Sequence, residues 1–187
     1  MKSYNSLPDG YKEIFNVDIQ KNKKVSFIVN GLSILIMLFM LFITFLNGYW
    51  IYFFAIIDLY KLIAFLALMV LYIVLHELTH GIAMKICGTK KIKYGFTGLY
   101  GYAGSDDFYD KKSYIFIALA PVVLWGVVLL IVNFIVPKDW FYIVYLLQVF
   151  NISGAAGDFY VTFKFSKMPK DILVKDYGVG MTVYSKI

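Results

Sequence analysis

Two histidines and a glutamate are the side chains best suited to chemistry in this 187-residue sequence. His76, Glu77 and His80 lie in the stretch LYIVLHELTHGIAMK, which is otherwise mostly apolar. Residues four apart share one face of a helix, so the two imidazoles can bind a single Zn²⁺. Glu77 lies one position further round, where its carboxylate can act as general base on a metal-bound water. The spacing therefore predicts a zinc site that activates water for attack on a carbonyl group.

The composition strengthens this prediction. The chain has two histidines, both in this motif, and two glutamates, one of which is Glu77. Ionisable groups inside an apolar helix are costly and are functional by default. Two other interpretations stay open at this point. The histidines could form a buried polar cluster bonded to backbone or to each other, or they could bind a metal without catalysis.

The helices that carry the motif are predicted to cross a membrane. The chain is 60% hydrophobic and contains several long apolar stretches, which is more than soluble domains usually show. We predict an all-α polytopic membrane protein with four transmembrane helices, in one membrane-embedded domain over residues 1–187. The predicted spans are residues 25–46, 59–86, 113–136 and 140–163.

Every basic residue in the chain is a lysine, and the lysines predict an orientation. They cluster before the first span, between the second and third, and after the fourth, and only Lys61 and Lys138 fall on the other side. Lysine-rich loops stay in the cytoplasm. We therefore predict a multi-pass protein of a cell membrane with both termini cytoplasmic. Because the net charge of +6 lies beside apolar spans, nucleic acid is not the expected partner.

A catalytic zinc usually has three protein ligands, and depth in the membrane indicates the third. His76 lies about 26 Å along its span from Leu59, and Asp158 lies about 27 Å along the fourth span from Trp140. Both spans run from outside to inside, so both residues are expected near the cytoplasmic face. Four other candidates fit less well, since they lie at a span end or in the middle loop: Cys87, Asp106, Asp107 and Asp110.

Asn151 is a further candidate, predicted to be catalytic. It precedes Asp158 by seven residues in NISGAAGDF, so the two lie on nearly the same helical face. Its amide could hold a substrate strand or stabilise an oxyanion. The equally weighted alternative is a hydrogen bond between helices that fixes the bundle.

Segments outside the spans carry weaker signals. Lys91 to Asp107 alternates bulky and small residues and is glycine-rich, which fits a small β-hairpin or a flexible loop. Tyr11 to Ile19 has the apolar spacing of a surface helix, and Tyr49 to Ile57 resembles an interfacial or re-entrant piece. Near the C-terminus, YGVGMTVY could form a short strand or fold back under the helices.

Taken together, these residues resemble intramembrane zinc metalloproteases of the site-2 type, and more closely a bacterial zincin-peptidase family of unknown function. The resemblance rests on LPDGYKEI, HELTHGIAM, LAPVV, SGAAGDFY and VKDYGVGMTVY. It implies that His76, His80 and Asp158 hold zinc and that Glu77 activates water. The chain departs from the site-2 pattern, because no proline follows Asn151 in an N-x-x-P arrangement and Phe159 follows Asp158 in place of glycine.

The leading prediction is an intramembrane zinc metalloendopeptidase. It would cleave a transmembrane or membrane-associated peptide near the cytoplasmic face, with the lipid bilayer as its other partner. The alternative is a catalytically inactive metal-binding scaffold or regulatory partner. Glu77 argues against that alternative, because a structural zinc site has no use for a glutamate beside its first ligand. A transporter has little support, since the four spans contain no internal repeat.

Overall fold

The computed structural model describes residues 1–18, 21–49, 58–98 and 100–186, and these form both helices and strands. The helices are α1 Lys23–Leu46, α2 Leu59–Ile86, α3 Lys111–Ile135, α4 Lys138–Gly154 and α5 Ala156–Ser166. The strands are β1 Ser3–Tyr4, β2 Tyr11–Asp18, β3 Lys93–Phe96, β4 Gly101–Gly104, β5 Phe108–Asp110, β6 Leu173–Asp176 and β7 Gly180–Lys186.

Among the described residues, four helical stretches are long and apolar enough to cross a membrane. They are α1, α2, α3 and Lys138–Ser166, which combines α4 with α5 across a break at Ala155. Few of the side chains in the first three are buried in protein; Phe27 and Phe134, for example, are 80% and 82% exposed. The stretch Tyr49 to Ile57, predicted to be interfacial or re-entrant, lies beyond Tyr49 outside the described residues.

The prediction of an all-α fold is wrong, because the chain also forms a five-stranded antiparallel sheet. Its strand order is β1-β5-β6-β7-β2. The strands come from three separate parts of the chain: before α1, between α2 and α3, and after α5. The sheet buries Tyr109, Val174 and Val183, whose side chains are almost fully inaccessible. The alternative of a short strand at the C-terminus is confirmed by β7.

The N-terminal segment predicted as a surface helix is instead the edge strand β2. Tyr11–Asp18 pairs with β7 over its length, and the register shifts between Glu13 and Phe15. The extra residue at this bulge, Ile14, breaks the two-residue alternation of a regular strand. Apolar residues then fall at Tyr11, Ile14 and Phe15, a spacing that imitates a helix. Ile19 lies outside the described residues.

The hairpin alternative for the middle loop is confirmed. Strands β3 and β4 pair antiparallel, from Lys93 opposite Gly104 to Phe96 opposite Gly101. Tyr102 on β4 packs its ring against Gly178, which has a positive φ of 97° in the turn between β6 and β7. The ring therefore joins the hairpin to the larger sheet.

Helix α5 is held against the sheet by aromatic packing. Phe165, 1% exposed, packs its ring against Phe15 of β2 at 6.4 Å and against Tyr114 of α3 at 5.4 Å between centroids. Offset and edge-to-face aromatic pairs of this kind add to the stabilisation from buried area. This contact fixes the helix that carries Asp158.

The described residues pack as two compact units. The first comprises Met1–Ile28, Glu77–Pro121 and Asp158–Ile187 and contains both sheets. The second comprises Val29–His76 and Val122–Gly157 and is helical where it is described. Within it, Tyr145 of α4 donates a hydrogen bond to the Met40 carbonyl of α1 at 2.7 Å. The prediction of a single membrane-embedded domain stays a prediction.

Replacing Gly178 by alanine should destabilise the first unit, because a Cβ there meets both a positive φ and the Tyr102 ring. We expect the free energy of unfolding to fall by about 2–4 kcal/mol, from backbone strain and overpacking together. Gly10→Ala is the matched control, since Gly10 has a φ of 81° and open space around it. Chemical denaturation in detergent measures both, and an equal effect would contradict the packing role of Tyr102.

Candidate metal centre

Three side chains come together near the C-terminal end of α2. His76, His80 and Asp158 each offer one ligand atom, and these atoms lie within 4.8 Å of one another. His80 and Asp158 belong to the first unit, and His76 stands one turn before His80 on the same uninterrupted helix. All three side chains are half-buried. They are the three residues predicted to bind the metal.

The cluster fits a zinc ion in chemistry and approximately in spacing. Imidazole nitrogens and a carboxylate oxygen are preferred zinc ligands, and ligands about 2 Å from a tetrahedral centre stand about 3.3 Å apart. His80 Nε2 lies 3.7 Å from Asp158 Oδ1, which is too long for a hydrogen bond. This distance between Nε2 and Oδ1 is therefore longer than a hydrogen bond and only slightly longer than the separation of two ligands that share one zinc ion.

A backbone carbonyl fixes the orientation of the His80 ring. His80 Nδ1 lies 2.9 Å from the carbonyl oxygen of Ile117 on α3. A carbonyl can only accept a hydrogen bond, so Nδ1 carries the proton and donates it. In a neutral imidazole the other nitrogen, Nε2, then bears the lone pair. Nε2 is also the atom nearest Asp158, so the ring presents its ligand atom to the cluster.

A chain of hydrogen bonds fixes the His76 ring in the same way. Asn151 Nδ2 lies 3.2 Å from the Val122 carbonyl oxygen. Because a carbonyl oxygen can only accept a hydrogen bond, this nitrogen is the donor. Asn151 Oδ1 is thereby left to accept from the Tyr72 hydroxyl at 2.9 Å. Because that hydroxyl has one proton, its oxygen must accept from His76 Nδ1, also at 2.9 Å. The lone pair of His76 therefore falls on Nε2.

Asn151, predicted to be catalytic, lies inside the second unit and is 0% exposed. Besides Tyr72 and Val122, its amide reaches Gln148 Oε1 at 3.4 Å. Gln148 in turn donates from Nε2 to the Gly126 carbonyl at 3.1 Å, which fixes the direction of both amides. These contacts favour the alternative of hydrogen bonds between helices. A direct role on substrate stays a prediction.

The break between α4 and α5 gives Asp158 its position. Helix α4 ends at Gly154, and α5 restarts at Ala156, so Asp158 falls in the first turn of a new helix. The partial positive charge of a helix N-terminus favours a negatively charged side chain there. An ionised carboxylate is the form that binds metal. The small residues around Ala155 thus place an anionic ligand at this point of the chain.

Glu77 lies beside the hairpin. It is half-buried on α2, and a Cβ placed on Gly101 of β4 would lie 3.0 Å from its Cγ and 3.5 Å from its Oε1. Gly81, one residue after His80, similarly lies under the ring of Tyr94 of β3. Both glycines allow the hairpin to lie directly on the helix that carries the motif. The glutamate carboxylate therefore has a strand along one side.

A carboxylate that the sequence argument missed lies near this group. Asp176 at the end of β6 accepts from the Tyr114 hydroxyl at 2.6 Å and from the Gly178 amide at 2.8 Å. Burial raises the pKa of the Asp176 carboxyl, and the two hydrogen bonds oppose that rise. Its electrostatic interactions reach His80 and Asp158. In the sequence this residue is the aspartate of VKDYGVG, between Lys175 and Tyr177.

The weaker ligand candidates have other described roles. Asp106 is exposed and pairs with Lys93 at 2.7 Å, and this contact lowers the pKa of its carboxyl. Asp110 accepts from the Ser113 amide at 2.8 Å at the start of α3. Cys87 is buried, and burial raises the pKa of its thiol, which disfavours the thiolate that binds metal.

Comparison with known protein families places the chain in one of them. Residues 68–173 match a family described as "Putative zincin peptidase", and the match covers more than half of the chain. The chain therefore belongs to this family. The matched region includes the α2 motif, the hairpin and Asp158. The family's description points to a zinc-dependent metallopeptidase.

One curated relative is an uncharacterised 24.7 kDa protein from the gap 5′ region of Pyrococcus woesei. It is 31% identical over 118 residues, which cover 60% of this chain and 51% of the relative. The chain thus spans about half of the length of that relative. No solved structure shows a significant match to the chain.

Tyr72→Phe should weaken zinc binding, because it removes the acceptor that holds the His76 ring. Loss of such an orienting contact typically costs 10–100-fold in metal affinity, and we expect about 10-fold or more. Tyr145→Phe is the matched control, since it removes a hydroxyl that bonds a carbonyl in the same unit. Competition with a chromophoric chelator measures both affinities. Equal affinities in the two variants would contradict the orienting role.

On the hypothesis that Glu77 is the general base of a peptidase, Gly101→Ala should impair peptide hydrolysis and leave zinc affinity unchanged, because the three atoms nearest to the added methyl group all belong to Glu77. A general base contributes 10²–10⁴-fold, so partial displacement should cost about 10-fold in rate. Gly31→Ala on α1, where a Cβ meets open space, is the control. A variant with normal hydrolysis would show that the hairpin does not position Glu77.

Proposed function

We propose that the protein is an intramembrane zinc metalloendopeptidase of the site-2-protease type. Its substrate is an apolar transmembrane segment or a membrane-associated peptide, cleaved near the cytoplasmic face. The observation that carries the proposal is the convergence of His76, His80 and Asp158 beside Glu77, on helices apolar enough to cross a membrane. Membership of the zincin-peptidase family supports the same chemistry.

The proposed division of roles follows from the site. Zinc held by His76, His80 and Asp158 would polarise the scissile carbonyl and lower the pKa of a water to about 7. Glu77 takes the proton from the attacking water and returns it to the nitrogen of the departing amine as the C–N bond breaks. The Nδ1 hydrogen bonds of both histidines hold their rings in place during this proton transfer.

The larger sheet supports part of the proposed membrane topology. Its strands come from before α1, from between α2 and α3, and from after α5. Because a hydrogen-bonded sheet cannot be divided by a bilayer, this pairing supports the proposal that the three segments lie on one side of the membrane. The lysines flanking the spans assign that side to the cytoplasm. The exposed apolar side chains of α1 to α3 are suited to lipid tails.

The hairpin supports a peptide as substrate. Strands β3 and β4 pair with each other and lie beside Glu77 through Gly101. An extended peptide can be recognised by adding a strand to such an edge, and hydrolysis requires an extended backbone. Aromatic side chains on or next to the hairpin are exposed and could contact an apolar substrate: Tyr94, Phe96 and Tyr100.

Metal content of detergent-purified protein tests the proposal first. We expect about one zinc per chain in wild type, the same content in Glu77→Gln, and loss in His76→Ala and Asp158→Ala. Asp106→Ala is the matched carboxylate control and should keep its zinc, since Asp106 is exposed and paired with Lys93. Hydrolysis of fluorogenic transmembrane peptides in vesicles should be lost in Glu77→Gln although zinc is retained.

Two results would contradict the proposal. Absence of zinc from fresh wild-type protein, even after zinc is added back, would make the motif a buried polar cluster. Equal hydrolysis by wild type and Glu77→Gln would remove the glutamate from the mechanism. A zinc-loaded wild type that hydrolyses none of the transmembrane peptides would favour the alternative of an inactive metal-binding scaffold.

A further inference from the structure

The proline of LAPVV lies in the middle of a helix, where proline is normally excluded. Helix α3 runs without interruption from Lys111 to Ile135, and Pro121 lies within it with less than 2% of its surface exposed. Proline has no backbone N–H and therefore cannot donate to the carbonyl four residues earlier. That carbonyl belongs to Ile117, and this residue is only 2% exposed.

A buried carbonyl without its helical donor needs another partner. The Ile117 oxygen has one, because His80 Nδ1 lies 2.9 Å away. The proline ring also crowds the carbonyl at i−4 and turns it away from the helix axis. Pro121 therefore removes the N–H that would compete for the Ile117 carbonyl, and its ring turns that carbonyl away from the helix axis.

We infer that Pro121 is a positioning residue for the metal site: it releases the Ile117 carbonyl from the helix so that this carbonyl holds His80 with Nε2 as the ligand atom. The inference rests on the proposed zinc site and names a residue that touches neither metal nor substrate. His80, Ile117 and Pro121 all belong to the first unit. Proline is needed here because every other residue type would supply the missing N–H.

The helix itself offers no reason for this proline. Alanine is the best helix former and proline the worst, so Pro121→Ala should favour α3. If Pro121 had no role at the metal site, the variant would fold normally and bind zinc normally. A positioning role predicts the opposite for zinc, because the restored amide draws the Ile117 oxygen back into the helix and His80 loses its acceptor.

The first test compares zinc affinity of the full chain in detergent, by chelator competition. We expect Pro121→Ala to bind zinc about 10-fold more weakly than wild type, within the usual range for an orienting contact. Pro137→Ala is the control, since it removes a proline at the start of α4 and leaves the hydrogen-bond ladder of α3 unchanged. Unchanged affinity in a folded Pro121→Ala protein would overturn the inference.

The second test needs no metal. The chain has two histidines, so a ¹⁵N-histidine spectrum of metal-free protein contains two rings, which His76→Ala assigns. In wild type, the neutral His80 ring should show a protonated Nδ1 and an unprotonated Nε2. In Pro121→Ala this preference should weaken, whereas in Pro137→Ala it should persist.

The two tests separate the inference from the proposed function. Zinc-free wild type with a fixed His80 tautomer that Pro121→Ala loosens would refute the peptidase and keep the positioning role. If wild type binds zinc and the His80 spectrum of Pro121→Ala is identical to that of wild type, the positioning role is refuted and the zinc site is kept. If Pro121→Ala fails to fold, Pro121→Ser supplies the same N–H and gives the same comparison.

Discussion

An imidazole can bind a metal only through the nitrogen that bears its lone pair, and this constraint governs the arrangement around the site. Each ring must therefore have its other nitrogen held as a donor. His80 has the Ile117 carbonyl for this purpose, and His76 has the Tyr72 hydroxyl. Both contacts act on Nδ1, so each ring bears its lone pair on Nε2, and His80 Nε2 faces Asp158. Without them, the i and i+4 spacing would bring the rings close without selecting the ligand atoms.

The remaining elements position the two carboxylates to which the proposed mechanism gives the roles of ligand and base, Asp158 and Glu77. The break at Ala155 puts Asp158 in a first helical turn, and Phe165 anchors that helix on the sheet. The hairpin then lies along Glu77, joined to the same sheet by the Tyr102 ring against Gly178. The sheet is thus a support for the site, although none of its strands supplies a ligand. This explains why distant segments of the chain pair with one another.

The sequence allowed prediction of what is local or periodic. The histidine spacing, the apolar helices and the approach of Asp158 to His80 all follow from helical geometry, and the hairpin follows from alternation with glycine. The sheet could not be predicted, because β1, β5 and β6 are short and find their partners far along the chain. The bulge at Ile14 also gave β2 an apparent helical period. The Ile117 carbonyl was hidden for another reason: a backbone acceptor has no side-chain signature, and only Pro121 marks it.

A regular apolar helix satisfies its own backbone groups and offers little to a metal site. Building a polar centre from such helices therefore requires local departures from regularity, and these collect around the histidines. Pro121 opens the hydrogen-bond ladder of α3, Ala155 interrupts the fourth apolar stretch, and Gly81 allows Tyr94 to lie on α2. Each departure weakens a helix taken alone, yet each supplies an acceptor, a ligand position or a packing surface. The proposed metal chemistry gives one explanation for all three departures from regular helix.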